Sequence, residues 1–448
     1  MKHYPITMSL LLGGSFSLTA QENPNIIIIY VDDMGYSDLS CYGGDFVKTK
    51  NIDRIADEGI RFTQYYTAAP ISSPSRVGLT TGMYPTRWGI RSFLQTRAGN
   101  RKNIQNDFLS DHAPSMARAL KQNGYATAHF GKWHMGGGRD VDNAPSIYNY
   151  GFDEYASTWE SPDPDKLITA SDWIWSDQDS IKRWNRTAYF VDKTLDFIRR
   201  NQDKPCFINL WPDDVHTPFV PNPEDMETKR EDWEKREAFR FVLKDLDDQM
   251  GRLIEGLKSL GADDNTLVIF TSDNGPNPSY GIERTKGLRG KKGTLYEGGI
   301  RMPFIVRWPS VITPGQINEN AILGSVDIFP TLCSITGSPI PSEFRLDGED
   351  RSDVILRNKN VERSAPLFWE FSSRKQNAPD NTPMPQVAVR WKEWKLLVFI
   401  DGSQVELYNM KNDREEKENV AQQNKWVTDK LTFEALRWFN QSFREFAK

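Results

Sequence analysis

The chain has 448 residues, 38% of them hydrophobic and 12% aromatic, and a formal net charge of −5 at pH 7. That is enough apolar material for a large core, spread by length over about two to three domains. It excludes a disordered chain and a basic nucleic-acid-binding footprint, and three cysteines (Cys41, Cys206, Cys333) are too few for a disulfide scaffold.

At the N-terminus Lys2 precedes an apolar stretch from Ile6 to Leu18, with Ala20 as a small residue for cleavage. Residues 1–20 read as an export signal, so the mature chain is expected outside the cytoplasm from about Gln21. Ser9, Gly13, Gly14 and Ser15 make the stretch too polar for a membrane span, and no other segment approaches the length of one. Residues 25–31 form a continuous β-branched run, which predicts a parallel strand buried on both faces and ending at Asp32-Asp33. Next comes a helix with Ile52, Ile55 and Ala56 on one face, Asn51 as cap and Gly59 as stop. Further strands are predicted at 125–130, 206–210, 267–271 and 304–307, among helices at 115–122, 188–200 and 231–260. This alternation predicts an α/β domain over 21–340, with a mostly parallel central sheet flanked by helices. The Pro/Ser/Gly-rich stretch 337–342 marks its end. Short strands at 366–370, 387–391, 394–399 and 405–408, then a helix from about Trp426, predict a small α+β subdomain with an antiparallel sheet over 341–448.

Chemistry-bearing residues follow the strands, where ligands gather in open parallel sheets. Asp32-Asp33 is costly at a buried strand end unless neutralised, and its oxygens suit a hard cation such as calcium; a solvated turn is the alternative. Asp273-Asn274, in Ser272-Asp273-Asn274-Gly275, adds oxygen donors at a second strand end, although an Asx turn would use the same residues. In Ser72-Ser73-Pro74-Ser75-Arg76, Pro74 fits the first turn of a helix, placing Ser72 at the positive end of its dipole and Arg76 about one turn in. Gly131-Lys132-Trp133-His134 puts a fixed positive charge and a titratable base two apart, on the same side of an extended chain. His216 follows the strand at 206–210. The basic, Gly-rich stretch 287–293, leading to Glu297-Gly298-Gly299, suits a tetrahedral anion or a plain surface loop.

In this order the segments closely resemble the sulfatase family of the alkaline-phosphatase-like superfamily, from about residue 24 to residue 425. The resemblance implies that Ser72 is the position converted to formylglycine, whose hydrated aldehyde attacks sulfur and leaves an enzyme-bound sulfate ester. It further implies that His134 deprotonates the remaining hydroxyl to expel sulfate, that Arg76 and Lys132 hold the modified residue, and that Lys292 and His216 bind sulfate oxygens and assist the leaving oxygen. Asp32, Asp33, Asp273 and Asn274 would hold one calcium that also touches position 72.

The family often has cysteine where this chain has Ser72; the serine type is familiar in bacteria and requires a dedicated radical maturase as partner. Lys291-Lys292 stands where Gly-Lys is frequent, and spacing to Glu297 favours Lys292 as the sulfate contact. A two-zinc phosphatase or phosphodiesterase on the same fold is the nearest alternative, but no histidine follows His216 to help build such a site. A silent binder of sulfated glycans, with Ser72 never oxidised, is another. The expected substrate is a sulfated carbohydrate met in the periplasm or outside the cell. Trp159, Trp173, Trp175 and Trp184 would stack on sugar faces or pack in the core, and Asp213 and Asp214 would accept bonds from sugar hydroxyls.

Overall fold

The computed structural model describes residues 23–446 except 172, 174, 227–231, 233–234, 278–282 and 373–382. The export signal read at residues 1–20 lies outside the described residues.

The main sheet comprises β1 (Asn25–Val31), β2 (Ile60–Tyr66), β3 (Ala126–Gly131), β4 (Glu154–Ser157), β5 (Cys206–Trp211), β6 (Thr266–Ser272), β7 (Arg301–Arg307), β8 (Gln316–Asn318) and β9 (Leu323–Gly324). Their order is β4-β3-β5-β1-β6-β7-β2-β8, with β9 also on β2. Pairings are parallel except those of β7 with β6 and β2. β7 pairs antiparallel with its neighbour β6, so the connection between them needs no crossover, and β7 runs backwards.

The helices are α1 (Lys50–Asp57), α2 (Ser72–Thr81), α3 (Arg97–Lys102), α4 (Met116–Gln122), α5 (Arg186–Arg200), α6 (Arg236–Ser259), α7 (Glu297–Ile300), α8 (Ile328–Thr336), α9 (Ser352–Arg357) and α10 (Lys425–Phe446). Thr49, not Asn51, precedes α1; Asn51 lies inside the helix, where its side-chain amide donates to Asp247. The alternation of β1 explains the layers. Ile26, Ile28 and Tyr30 face a core with Leu120 of α4 and Leu332 of α8, while Ile27, Ile29 and Val31 face α1, α5 and α6. Each fully buried aliphatic side chain contributes about 1.5–3 kcal/mol.

The second sheet is antiparallel, in the order β10 (Leu367–Glu370), β11 (Val387–Trp391), β12 (Trp394–Val398), β13 (Glu406–Asn409). It shares a core with the main sheet, in which Trp369, Leu397 and Tyr408 meet Tyr66, Tyr296 and Ile300. A buried ionic joint crosses the same seam. Lys395 Nζ on β12 lies 2.9 Å from Glu297 Oε1 and 2.8 Å from Glu416 Oε1, and Arg301 and Tyr66 reach the other Glu297 oxygen. Glu297 is the acidic residue that closes the Gly-rich loop, so the second sheet anchors that loop. Among the described residues no helix is long and apolar enough to cross a membrane.

Candidate active site

Because β1, β2, β3, β5 and β6 run the same way, their carboxyl ends share one edge, and the predicted site residues sit just beyond them. Hydrogen bonds extend the ladder past the strands: Asp32 N donates to Pro212 O, Asp273 N to Val31 O and Lys132 N to Trp211 O. Glycine is required twice. At Gly131, φ is 128° and a Cβ would meet Trp211 O at 2.1 Å; at Gly275 it would meet Gly298 O at 2.0 Å.

Ser72 is the first residue of α2, after the extended Ile71, and is buried at 2% exposure. Its Oγ donates to Asp32 Oδ1 at 3.1 Å and approaches Asn274 Oδ1 at 3.5 Å. Thr67, Ser75 and Tyr30 hydroxyls interlock beneath the helix start, and Thr67 Oγ1 donates to Asp273 O. The helix therefore enters at a fixed angle. Arg76 is fully buried against Trp211 and Tyr30; its NH2 lies 2.7 Å from Asp273 Oδ2 and 3.4 Å from Asp32 Oδ1, and NH1 donates to Lys132 O. It thus supports the carboxylates around Ser72 from below.

The four oxygen-bearing residues converge. Asp33, at φ 60°, receives the Asn274 side-chain amide at 2.7 Å, and its backbone N–H donates to Asp273 Oδ1. Asn274 thereby turns its Oδ1 toward Ser72. Lys132 Nζ lies 2.7 Å from Asp32 Oδ2, Lys292 Nζ 2.7 Å from Asp33 Oδ2, and His216 Nε2 3.7 Å from the same Asp33 oxygen. Burial would raise Asp32, but Lys132, His216, Arg76 and Lys292 hold it well below the usual carboxylate range. Asp273 is pushed up to about 7 by burial and by the neighbouring Asp32 charge, against Arg76. Three carboxylates and an amide oxygen, each fully buried, form a donor set suited to a hard divalent cation. Ligand atoms of Asp32, Asp33 and His216 lie within 4.8 Å of one another.

His134, at φ 50°, departs from the extended conformation assumed in the sequence reading, yet it and Lys132 both face a residue that reading missed. Glu160 Oε2 is 3.2 Å from His134 Nε2 and 3.9 Å from Lys132 Nζ, while its other oxygen binds Arg139. No family motif or strand end flags Glu160; only its place after β4, which pairs with β3, brings it there. His134 Nε2 also lies 3.0 Å from Leu94 O. Burial, only partly opposed by Glu160, pushes His134 down to about 3, so it is neutral across the physiological range.

One expectation is corrected. Asp213 is not free for a sugar: it is buried and bound by Arg183 and Arg186, and Asp214 accepts from Thr187. Arg183 NH2 also donates to His216 O, so this ion cluster holds the His216 loop rather than a ligand. Of the tryptophans, Trp159 and Trp175 are buried, Trp184 is half-buried and Trp173 is exposed.

The sequence profile of the sulfatase family matches residues 24–338, which span every side chain just described. The chain belongs to the sulfatase family. It is a sulfatase, an enzyme that hydrolyses sulfate esters. The profile described as N-sulphoglucosamine sulphohydrolase, C-terminal, matches residues 289–437, from the Gly-rich loop through the second sheet. This sulfatase is 30% identical to an N-acetylgalactosamine-6-O-sulfatase of Bacteroides thetaiotaomicron over 92% of each chain. It is 31% identical to the N-acetylgalactosamine-6-sulfatase of Homo sapiens, over 78% of this chain and 69% of the human one. Among solved structures, Ps i-CgsB in complex with k-i-k-neocarrahexaose superposes with a TM-score of 0.78 at 27% identity, over 93% of each chain.

Proposed function

We propose that this sulfatase removes sulfate from a carbohydrate, using formylglycine made from Ser72 and one calcium ion. The observation that carries the reading is Ser72 itself, held at the start of α2 with its Oγ between Asp32 and Asn274. A serine there needs a serine-type radical maturase, and oxidation would give position 72 a hydrated aldehyde as nucleophile. Asp32, Asp33, Asp273 and Asn274 would hold the calcium, which supplies a fixed divalent charge beside the sulfuryl group.

The remaining roles belong to this chain's own side chains. Lys132, beside Asp32, and Arg76 hold the modified residue, and Lys292, beside Asp33, presents a cationic donor to a sulfate oxygen. His216, beside Lys292 and Asp33, protonates the leaving oxygen. His134 accepts a proton at its free ring nitrogen as sulfate departs. Identity to the two N-acetylgalactosamine-6-sulfatases favours a 6-O-sulfated N-acetylgalactosamine among sugar substrates. The export signal read in the sequence supports encounter with such a glycan in the periplasm or outside the cell.

The test is co-expression with a serine-type maturase, mass spectrometry of the peptide carrying Ser72, and turnover of defined sulfated monosaccharides. Hydrolysis of N-acetylgalactosamine-6-sulfate in step with conversion of Ser72 is expected. Full turnover with Ser72 unmodified would overturn the formylglycine reading.

A further inference from the structure

Away from the strand ends the molecule has two adjoining cavities lined by none of the residues gathered around Ser72. The first, about 330 Å³, lies beside the turn that follows β1 and is lined by Tyr36, Tyr42, Arg61, Lys286, Arg301 and Arg414 among others. The second, about 540 Å³, runs along the seam with the second sheet and contains Trp391 and Lys411. Glu319 lines both; it is the sole carboxylate in the lining of the first, while the second also holds Glu362 and Glu393.

The cations of the first cavity are built in. The Arg61 guanidinium sits 5.2 Å from the Tyr42 ring centre and that of Arg301 5.7 Å from the Tyr36 ring, and the two tyrosines meet edge to face at 5.1 Å. Aromatic faces orient a guanidinium without using its N–H edge, which stays free for an oxyanion. Arg301 already serves Glu297 and Thr63. Arg61, Arg414 and Lys411 make no ion pair among the described residues, and Lys286 makes only a 3.5 Å contact to Gly43 O. A chain of net charge −5 would repel a polyanion over most of its surface, so unpaired cations concentrated in one groove select where such a ligand docks. The half-buried Trp391 lines the second cavity and offers a face for a sugar ring.

We propose that these two cavities form an auxiliary groove for an anionic polysaccharide, whose sulfate or carboxylate groups pair with Arg61, Lys286 and Arg414 while a sugar ring lies against Trp391. The choice of a glycan rests on the carbohydrate-sulfatase reading. The groove would hold a polymer on the enzyme and leave the chemistry at position 72 untouched.

The test measures binding without turnover, using protein whose Ser72 is unmodified. Probes are immobilised chondroitin sulfate, which carries sulfate and carboxylate, hyaluronan, which carries carboxylate alone, and a DNA oligonucleotide. Arg61→Gln with Arg414→Gln should weaken chondroitin sulfate binding about tenfold, and Arg414→Gln alone, at an exposed position, should weaken it measurably. After maturation, both variants should turn over a sulfated monosaccharide like the parent enzyme. Matching losses on hyaluronan would show that carboxylates suffice; losses confined to chondroitin sulfate would assign the pocket to sulfate. Chondroitin sulfate affinity within twofold of the parent in both variants would overturn the proposal, as would equal, variant-sensitive binding of DNA. Failure to hydrolyse any sulfated sugar would instead overturn the functional reading and leave the binding result standing.

Discussion

The Nε2 atom of His134 lies 3.0 Å from the carbonyl oxygen of Leu94. A carbonyl can only accept, so Nε2 carries the proton and Nδ1 keeps the lone pair. Nδ1 is buried and meets no hydrogen-bond partner among the described residues. The fold thus presents His134 as a neutral imidazole with its basic nitrogen free, while Glu160 stands ready to stabilise the charged ring once a proton is taken.

His134→Ala should therefore slow release of enzyme-bound sulfate by about 10²–10⁴-fold and leave a trapped adduct visible by intact mass. Glu160→Gln keeps the shape but removes the charge and should lower kcat about tenfold or more with little change in KM. Because burial already holds His134 near 3, the acid limb of the pH–rate profile between pH 5 and 7 should not move in the Gln variant. A shifted limb would show that another group titrates there.

Ser72→Ala should abolish turnover while preserving the fold, since the serine is buried but its hydroxyl meets only site residues. Ser73→Ala should be milder, though not silent. Ser73 Oγ accepts from Leu94 N at 2.9 Å, and Leu94 in turn holds His134. A loss of about 1 kcal/mol in stability with a modest fall in kcat is expected, read by thermal melting and steady-state kinetics.

Calcium removal should cost activity and stability together. Three buried carboxylates lose their neutralising charge, so adding calcium to chelator-treated protein should raise the melting temperature, by about 2.7 kcal/mol of stability at 100 times Kd. Unchanged melting across that range would remove calcium from these residues, and a preference for zinc would revive the phosphatase alternative.

His216→Ala should impair hydrolysis of a sugar sulfate more than of an aryl sulfate, whose better leaving group needs less proton assistance. Equal losses on both would reduce His216, 3.7 Å from Asp33, to a binding role.

Asp214 supplies a pH prediction on stability. Burial and the adjacent Asp213 push it up from 3.8 to about 6. The folded state holds this proton more tightly than the unfolded chain, so the stabilisation is complete below about pH 4 and is lost as pH rises through about 6. The shift corresponds to roughly 2–3 kcal/mol. Asp214→Asn should raise stability at pH 7 and flatten denaturant midpoints measured between pH 4 and 7.

Where the chemistry stands at strand ends, the sequence was readable. A β-branched run stopping at Asp32-Asp33, or an apolar strand stopping at Asp273-Asn274, carries its own period and its own break. β2 was missed because Ile60–Tyr66 mixes Arg61, Thr63 and Gln64 with its apolar residues, in a strand that bulges between Phe62 and Tyr65. Glu160 and Leu94 were invisible for another reason. Each reaches His134 only through tertiary folding, and a backbone carbonyl has no letter in the sequence. The sugar-binding role expected of Asp213 failed likewise, because its partners Arg183 and Arg186 lie about thirty residues upstream, across a turn into α5.

The Lys395 joint ties the history of the two sheets together. Lys395 and Glu416 hold Glu297 from beyond the main sheet, so the loop bearing Lys292 has its anchor in a part of the chain that contributes no reacting group. A chimera that borrows the second sheet from a relative must bring a cation at the Lys395 position, or leave Glu297 with Arg301 alone and Glu416 without an ion-pair partner among the described residues; breaking such a buried pair costs about 3–5 kcal/mol. Substitutions on the two sides of the seam are thus expected to be inherited in pairs, and a sulfatase of this type should lose its loop geometry when its C-terminal sheet is exchanged alone.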